Sequence, residues 1–241
     1  MEAAMGWKRI AVAVGMAGAA AATDPSAGAA VAVPAQRMAA HAAAIQGIVT
    51  TRVKAPPPLR VTFDQKVCGA ELPDQSIVVD GEGRLANAVV TLVGVKAAAP
   101  AREIRVLNDK CAFLPRVQVV GTQGGMKTSS KDPVLHTTTV QLGDGRQLFN
   151  VALPVPGMEI AKPLGGAGTL RVSCSTHQWM RGWILVTDDL AVVTGADGRF
   201  TLPDVPPGTY QLRVWHEALK AADRAVTVVA GRPLSITVEM R

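Results

Sequence analysis

The sequence predicts an all-β protein built from β-sandwiches. Three observations support this prediction: short runs rich in Val, Leu and Ile recur, turn signals separate them, and long helical periodicity is lacking. The 241 residues include 23 Gly and 16 Pro, which suits many tight turns. Aromatic residues make up only 4%, so the cores must consist mainly of aliphatic side chains. The length suits one large or two small domains.

Residues 1–22 have the features of an export signal. Lys8 and Arg9 precede an apolar run, and the small residues Ala20 and Ala22 occupy positions that a signal peptidase recognises. A retained membrane anchor is the alternative, although the run is short for a bilayer span. Both interpretations place the folded part outside the cytoplasm. We therefore predict a periplasmic or secreted protein, with membrane contact only if the leader is retained.

Residues 23–58 are predicted to be a tether. The stretch is rich in Ala and Pro, ends in three consecutive prolines at 56–58, and lacks a clear apolar stripe. Its Ala content also favours a helix around 36–46.

Predicted strands follow one another from Leu59 onward, without a confidently predicted helix between them. Turn signals such as Asp80-Gly81 and Asp144-Gly145 separate them. The predicted strands are Ser76–Val79, Ala88–Val93, Arg116–Val120, Leu135–Leu142, Leu170–Ser173, Trp183–Thr187, Gly198–Leu202, Tyr210–Trp215, Ala225–Val229 and Leu234–Glu239. Their spacing is typical of β-sandwiches.

The charge balance is modestly positive, with 25 Lys and Arg against 19 Asp and Glu. This favours an acidic partner surface. It does not indicate nucleic-acid binding, because basic runs interleaved with aromatic residues are lacking.

The chain has three cysteines, Cys68, Cys111 and Cys174. In an oxidising compartment two of the three would pair and one would be left. Metal ligation would explain an exported thiol that stays reduced, because a metal-bound thiolate is protected from disulfide exchange.

The strongest motif is Cys174-Ser-Thr-His177-Gln-Trp-Met180. A type 1 (blue) copper site needs a thiolate, two imidazoles and a weak axial thioether, and one short loop here supplies three of them. His136, on a predicted strand upstream, is the candidate for the fourth. Zinc is disfavoured, because it rarely takes a methionine ligand such as Met180.

The stretch Cys111–Val186 resembles the cupredoxin family. Its C-x2-H-x2-M loop is similar to the compact, amicyanin-like ligand loop, and the run Gly182-Trp-Ile-Leu-Val resembles the strand that follows it. The resemblance implies a Greek-key β-sandwich that binds one type 1 copper ion. The implied metal ligands are His136, Cys174, His177 and Met180.

Two departures from the cupredoxin pattern lie beside the first histidine. Thr137 stands where cupredoxins usually carry an asparagine that ties the two ligand loops together. Ser130-Lys131-Asp132 stands where Asn-x-Asp is usual. Both changes affect groups around the ligands, so they bear on the reduction potential more than on binding.

The C-terminal stretch Thr194–Met240 resembles the carboxypeptidase regulatory-like (transthyretin-like) sandwich. Its Asp197-Gly198 and Pro206-Pro207-Gly208 turns precede alternating strands. The usual beginning of that domain resembles Ile77–Leu92, far upstream. We therefore predict a discontinuous small sandwich of residues 59–97 and 192–241, with the copper domain, residues 98–191, inserted into it. One larger cupredoxin with extra strands is the alternative.

Cys68 and Cys111 are predicted to form a disulfide, since Cys174 is assigned to the metal. Trp179 and Trp183 are predicted to pack beside the ligand loop, with an apolar docking patch as the alternative. His216 is predicted to belong to a surface cluster at a strand end.

The predicted function is electron transfer by an exported copper protein that is not an enzyme, because four protein ligands leave no position open for a substrate. The expected partners are exported redox proteins such as a c-type cytochrome or a dehydrogenase. Two alternatives remain: a copper storage or delivery protein, and a carbohydrate- or protein-binding sandwich with a vestigial copper site.

Overall fold

The structure, a computed structural model, describes residues 41–241. The predicted signal peptide and the first part of the predicted tether lie outside the described residues. The regular secondary structure of the described part is almost all β-strand, with one four-residue helix, Gln65–Cys68, which confirms the predicted all-β class. Within residues 41–241, no helix combines the length and the apolar character needed to cross a bilayer.

Eighteen strands lie within the described residues, arranged in four sheets of three to five strands and one two-stranded ribbon. In chain order they are β1 (Ala43–Thr51), β2 (Leu59–Arg60), β3 (Glu71–Leu72), β4 (Val89–Lys96), β5 (Glu103–Asp109), β6 (Ala112–Leu114), β7 (Val117–Val120), β8 (Gly125–Ser130), β9 (His136–Gln141), β10 (Gln147–Leu153), β11 (Glu159–Pro163), β12 (Gly168–Ser173), β13 (Arg181–Val186), β14 (Asp189–Val193), β15 (Arg199–Val205), β16 (Gly208–Trp215), β17 (Arg224–Val228) and β18 (Leu234–Met240).

Strands from both ends of the described chain form one sandwich, which we call the terminal sandwich. Its two sheets have the strand orders β15-β1-β18 and β14-β4-β16-β17. The facing sides bury one apolar cluster that includes Ile45, Leu92, Leu202 and Leu212. Side chains alternate between this cluster and the outside along β16 and β18, as the period of a pleated strand requires.

Strands β5 to β13 form a second sandwich, which we call the central sandwich. Its sheets have the strand orders β10-β9-β12-β13-β7 and β11-β8-β5-β6. They enclose a separate core that includes Val106, Phe113, Met126, Val172 and Ile184. Two cores and two pairs of sheets agree with the prediction of two β-sandwiches.

The chain enters and leaves the central sandwich at neighbouring points. Strands β4 and β14 pair antiparallel with Lys96 opposite Asp189, and the Ala97 N–H donates to the Asp188 carbonyl at 2.9 Å. Adjacent ends are what an inserted domain requires. The insertion of 98–191 between 59–97 and 192–241 stays a prediction. The C-terminal boundary of the predicted copper domain, residue 191, lies inside β14, because β14 pairs with β4 from Asp189 onward.

The prediction of a tether over residues 23–58 is wrong for residues 43–51. These residues form β1, the middle strand of its sheet, antiparallel to β15 and parallel to β18. Ala43, Ile45 and Val49 are buried at alternating positions, a pattern that the Ala-rich composition hides. Gly47 makes room for a neighbouring ring, because a Cβ there would lie 2.6 Å from Cζ of Phe200.

Residues 59–72, predicted to begin the small sandwich, pack instead on the central one. Val61 and Cys68 lie in the central core because both side chains are apolar and face it. The predicted disulfide between Cys68 and Cys111 is confirmed, and it joins this stretch to the turn between β5 and β6. The predicted strand Ser76–Val79 is reduced to a single bridge from Val79 to Leu85.

Candidate metal centre

Three of the four predicted ligands converge at one end of the five-stranded sheet. Cys174 directly follows β12, and His136 begins β9. These two strands are antiparallel, with Thr139 opposite Ser173, so the start of β9 and the end of β12 reach the same edge. His177 lies in the loop that joins β12 to β13.

The donor atoms of these three residues lie close together. The Cys174 sulfur is 3.7 Å from Nδ1 of His177 and 4.0 Å from Nδ1 of His136. All three side chains are buried, and their donor atoms lie within 4.8 Å of one another. The fold therefore aims one thiol and two imidazole nitrogens at a common point.

Met180, the fourth predicted ligand, closes the same loop. Its side chain is buried in the central core, in the same cluster as Cys174. Its backbone N–H donates to the His177 carbonyl at 3.0 Å, which makes the turn compact before β13 begins at Arg181.

Thr137 ties the two ligand-bearing segments together. Its backbone N–H donates to the Cys174 sulfur at 3.3 Å, and its hydroxyl lies 3.7 Å from the same sulfur. The hydroxyl also accepts the N–H of Ser175 at 2.7 Å. Thr137 thus links the start of β9 to the cysteine loop.

The remote nitrogen of His136 is paired with the carboxylate of Asp132. The Nε2 to Oδ2 distance is 2.9 Å, and Asp132 is itself buried. The same carboxylate accepts the backbone N–H groups of Lys110 and Cys111 at 2.8 and 2.9 Å. Both donors have positive φ, so the turn between β5 and β6 presents adjacent amides as an anion-binding nest. These two backbone amides hold the Asp132 carboxylate in place, and the carboxylate in turn holds the His136 ring.

The remote nitrogen of His177 is also paired with a carboxylate, that of Asp64. The Nε2 to Oδ2 distance is 3.1 Å, and the His177 side chain is 0% exposed. Sequence reasoning missed Asp64, because its position 113 residues upstream gives no local signal. A carboxylate can only accept, so each ring donates a proton from Nε2 to its carboxylate, and its Nδ1 faces Cys174.

The environment of Cys174 favours its thiolate. Burial disfavours the anion, but hydrogen bonds from His136, the Thr137 amide and His177 outweigh burial and lower the pKa of the thiol to about 5. Burial likewise lowers the pKa of His136, but its contacts with Cys174 and Asp132 prevail, so that this pKa is raised overall. The metal-free site therefore favours a thiolate between the two imidazoles, and a metal cation bound at Nδ1 would displace any proton held there.

The dimensions of the donor set fit a transition-metal ion. Bonds of about 2.0 Å to nitrogen and 2.3 Å to sulfur place the ligand atoms of a three-coordinate site roughly 3.8 Å apart. The observed separations of 3.7 and 4.0 Å match this spacing. Thiolate and imidazole donors suit copper or zinc, and the chemistry of Met180 beside them favours copper.

Trp179 packs beside the donor set as predicted, whereas Trp183 contacts the terminal sandwich. The Trp179 ring lies 5.1 Å from that of His177, and its Nε1–H donates to the Cys111 carbonyl at 3.2 Å. Trp183 packs against Trp215 of the terminal sandwich at 5.5 Å. Both Trp179 and Trp183 are half-buried, so packing accounts for them.

His216 is buried rather than part of a surface cluster, so that prediction is wrong. Burial lowers the pKa of His216 and outweighs the opposing charge of Glu217. The next residue, Glu217, forms an ion pair with Arg116, which donates two hydrogen bonds to it at 2.6 and 2.9 Å. This pair links the central sandwich to the terminal one.

Comparison with known families bears on the C-terminal part of the chain. A family model described as the carboxypeptidase regulatory-like domain matches residues 184–241. This match confirms the resemblance predicted for Thr194–Met240. A search of the curated proteins finds no match.

The solved structures that resemble the chain include cupredoxins. One is a novel purple cupredoxin from Nitrosopumilus maritimus, 20% identical, with a TM-score of 0.31, covering 35% of this chain and 98% of its own. Another is amicyanin from Paracoccus versutus, 18% identical, with a TM-score of 0.32, covering 40% of this chain and 96% of its own. A mutant of amicyanin in its reduced state gives 18% identity and the same TM-score, with 40% of this chain and 97% of its own covered.

Proposed function

We propose that the protein is an exported type 1 copper protein that carries single electrons between redox partners. The observation that carries the proposal is the buried set of His136, Cys174 and His177, whose donor atoms converge while both remote ring nitrogens are held by carboxylates. Met180 would supply the axial thioether. A bound copper ion would supply a one-electron couple between Cu(I) and Cu(II).

The protein residues contribute rigidity and a fixed charge environment. Asp132 and Asp64 hold the two rings, and Thr137 holds the sulfur of Cys174 from the neighbouring strand. Because each donor is held by a partner outside the set, the donors would move little when the charge at the site changes. The ligand side chains are nearly inaccessible to solvent, so water is kept from the site.

Copper storage or delivery is the nearest competing function. A delivery site must release its ion, which requires ligands that open. The rings here are fixed by two carboxylates, and Cys174 and Met180 are buried in the core. These contacts favour a permanently bound ion. Four protein ligands would leave no open position for a substrate, which favours a carrier over an enzyme.

The binding-module alternative needs exposed rings on the terminal sandwich. Tyr210 is half-buried against the core, and its hydroxyl donates to the Pro206 carbonyl at 2.8 Å. Trp215 packs edge-on against Trp183. Both rings are engaged in packing, which disfavours a sugar platform built on them.

Export and redox partners follow from the proposed function. The disulfide between Cys68 and Cys111 suits an oxidising compartment such as the periplasm or the cell exterior. We propose exported redox proteins, such as a c-type cytochrome or a dehydrogenase, as partners. The net charge of +6 over the whole chain favours an acidic face on the partner.

Titration with Cu(II), followed by visible absorption, tests the proposal. We expect one copper per chain and an intense thiolate-to-copper band, because the Cys174 thiolate is available at neutral pH. The matched variant Cys174→Ser should fold equally well by circular dichroism and lack the band. A colourless wild-type protein that retains no stoichiometric copper would refute the proposal and favour the vestigial-site alternative.

A further inference from the structure

A short segment outside the central sandwich covers His177. It comprises Phe63–Cys68, and we call it the covering segment. The Phe63 ring lies 6.1 Å from the His177 ring and is itself 56% exposed, while His177 is 0% exposed. The covering segment therefore separates this imidazole from solvent.

Asp64 reaches His177 from an unusual backbone conformation. Its φ is 53°, in the left-handed region, where aspartate and asparagine are tolerated better than most residues. Asp64 is the N-cap of the helix Gln65–Cys68, yet its side chain makes no capping hydrogen bond. Its backbone carbonyl accepts the N–H groups of Val67 and Cys68, both at 2.9 Å. The carboxylate is thus free of the usual capping role and is directed at the ring.

The covering segment is fastened on both sides of Asp64. Before it, Val61 is buried in the central core and its carbonyl accepts the Gln65 side-chain amide at 2.6 Å. After it, Cys68 forms the disulfide with Cys111, whose carbonyl accepts the Trp179 indole N–H. The sulfur atoms of Cys68 and Cys111 lie within 4.8 Å of a His177 ring nitrogen. These anchors give Asp64 a fixed position against the ring.

We propose that Asp64 is a positioning residue for the metal ligand His177 and that its charge favours the oxidised state of the bound copper. The inference rests on the proposed function and extends it to a residue outside the ligand loop. Asp64 accepts the Nε2 proton of His177, which keeps the Nδ1 lone pair directed towards Cys174.

The physical effect has two parts with the same sign. A ring that donates to a carboxylate is a stronger base at its other nitrogen, so it binds the more highly charged Cu(II) more strongly. The negative charge of Asp64, in a partly buried position, also stabilises Cu(II) over Cu(I). Removal of this carboxylate should therefore raise the reduction potential.

Asp64→Asn tests the inference, because asparagine keeps the size of the side chain and tolerates the positive φ. Asp74→Asn is the matched control. Asp74 lines the cleft beside Trp179 and Met180, and its carboxylate accepts the Ser76 backbone N–H at 2.8 Å. Each variant removes one carboxylate near the ligand loop, and Asp64→Asn is the one that breaks the contact with His177.

The measurement is the ratio of Cu(I) to Cu(II) in the copper-loaded protein at a fixed solution potential. We expect Asp64→Asn to raise this ratio at least tenfold, which is about 59 mV for a one-electron couple. The Cu(II) dissociation constant should also rise by about 10-fold or more, because loss of a hydrogen-bond partner of a metal ligand typically weakens metal binding by this amount. A change in Asp64→Asn no larger than in Asp74→Asn would overturn the inference.

A second measurement applies to the wild-type protein. In the Cu(I) form, nitrogen-15 NMR should show a slowly exchanging proton on Nε2 of His177, and Asp64→Asn should exchange it faster. Rapid exchange in the wild type would contradict the role of Asp64. If the wild type binds copper with the blue band while both tests fail, this inference falls and the proposed function stands. A wild type without the band would refute the proposed function itself.

Discussion

Replacement of both Cys68 and Cys111 by serine is expected to lower the free energy of unfolding of the metal-free protein by about 4 kcal/mol. The disulfide joins residues separated by 43 positions, and a cross-link closing a loop of that size restricts the unfolded chain by roughly this amount. Both cysteines are buried in the central core, so the serine hydroxyls add a burial cost.

Urea unfolding, followed by tryptophan fluorescence, measures this effect. The wild-type protein treated with a dithiol is the parallel sample, since it loses the cross-link without a change of sequence. Cys174→Ser is the control for removal of a thiol that forms no disulfide. A loss below about 1 kcal/mol in the double variant would show that the contacts of Val61 and Asp64 hold the covering segment without the disulfide.

Arg116→Met is expected to destabilise the protein by about 3–5 kcal/mol, because it leaves the charge of Glu217 buried without a partner. The side chains of Arg116 and Glu217 are 9% and 8% exposed, and the guanidinium makes two hydrogen bonds with the carboxylate. Arg116 precedes β7 of the central sandwich and Glu217 follows β16 of the terminal one. The guanidinium also donates to the Arg181 carbonyl at 3.1 Å, directly after the ligand loop.

A double-mutant cycle separates the ion pair from the other contacts of each residue. The double variant Arg116→Met/Glu217→Leu should be more stable than Arg116→Met alone, because it buries no unpaired charge. The free energy of unfolding of all four proteins provides the comparison. If the two single losses simply add in the double variant, the pair contributes no coupling and this account of the junction is wrong.

The loop that carries three of the proposed ligands could be picked out from sequence because its chemistry is local. Cys174, His177 and Met180 lie within seven positions, and the β-rich run at 135–142 identified the strand that carries His136. The C-terminal strands were predictable for a similar reason. Clear alternation of apolar and polar residues and Gly-containing turns indicate β16 to β18. The family-model match to residues 184–241 agrees with this prediction.

Other features depend on contacts between distant parts of the chain. Strand β1 pairs with β18 in parallel, so no hairpin turn connects the two. Its alternation of buried and exposed side chains is hard to recognise in an Ala-rich sequence. Strand β5 likewise pairs with β8 in parallel and was not predicted. Asp64 touches His177 only because the disulfide and Val61 place the covering segment over the loop. Spacing along the sequence carries no information about such a contact.

The central claim is that the site transfers single electrons, and voltammetry of the copper-loaded full-length protein tests it most directly. We predict one reversible one-electron wave, with forward and return currents equal over repeated scans, because the ligands are held in place by Asp64, Asp132 and Thr137. Cys174→Ser should give no such wave. An irreversible wave in the wild type, or loss of copper on reduction, would contradict electron transfer and support copper delivery instead.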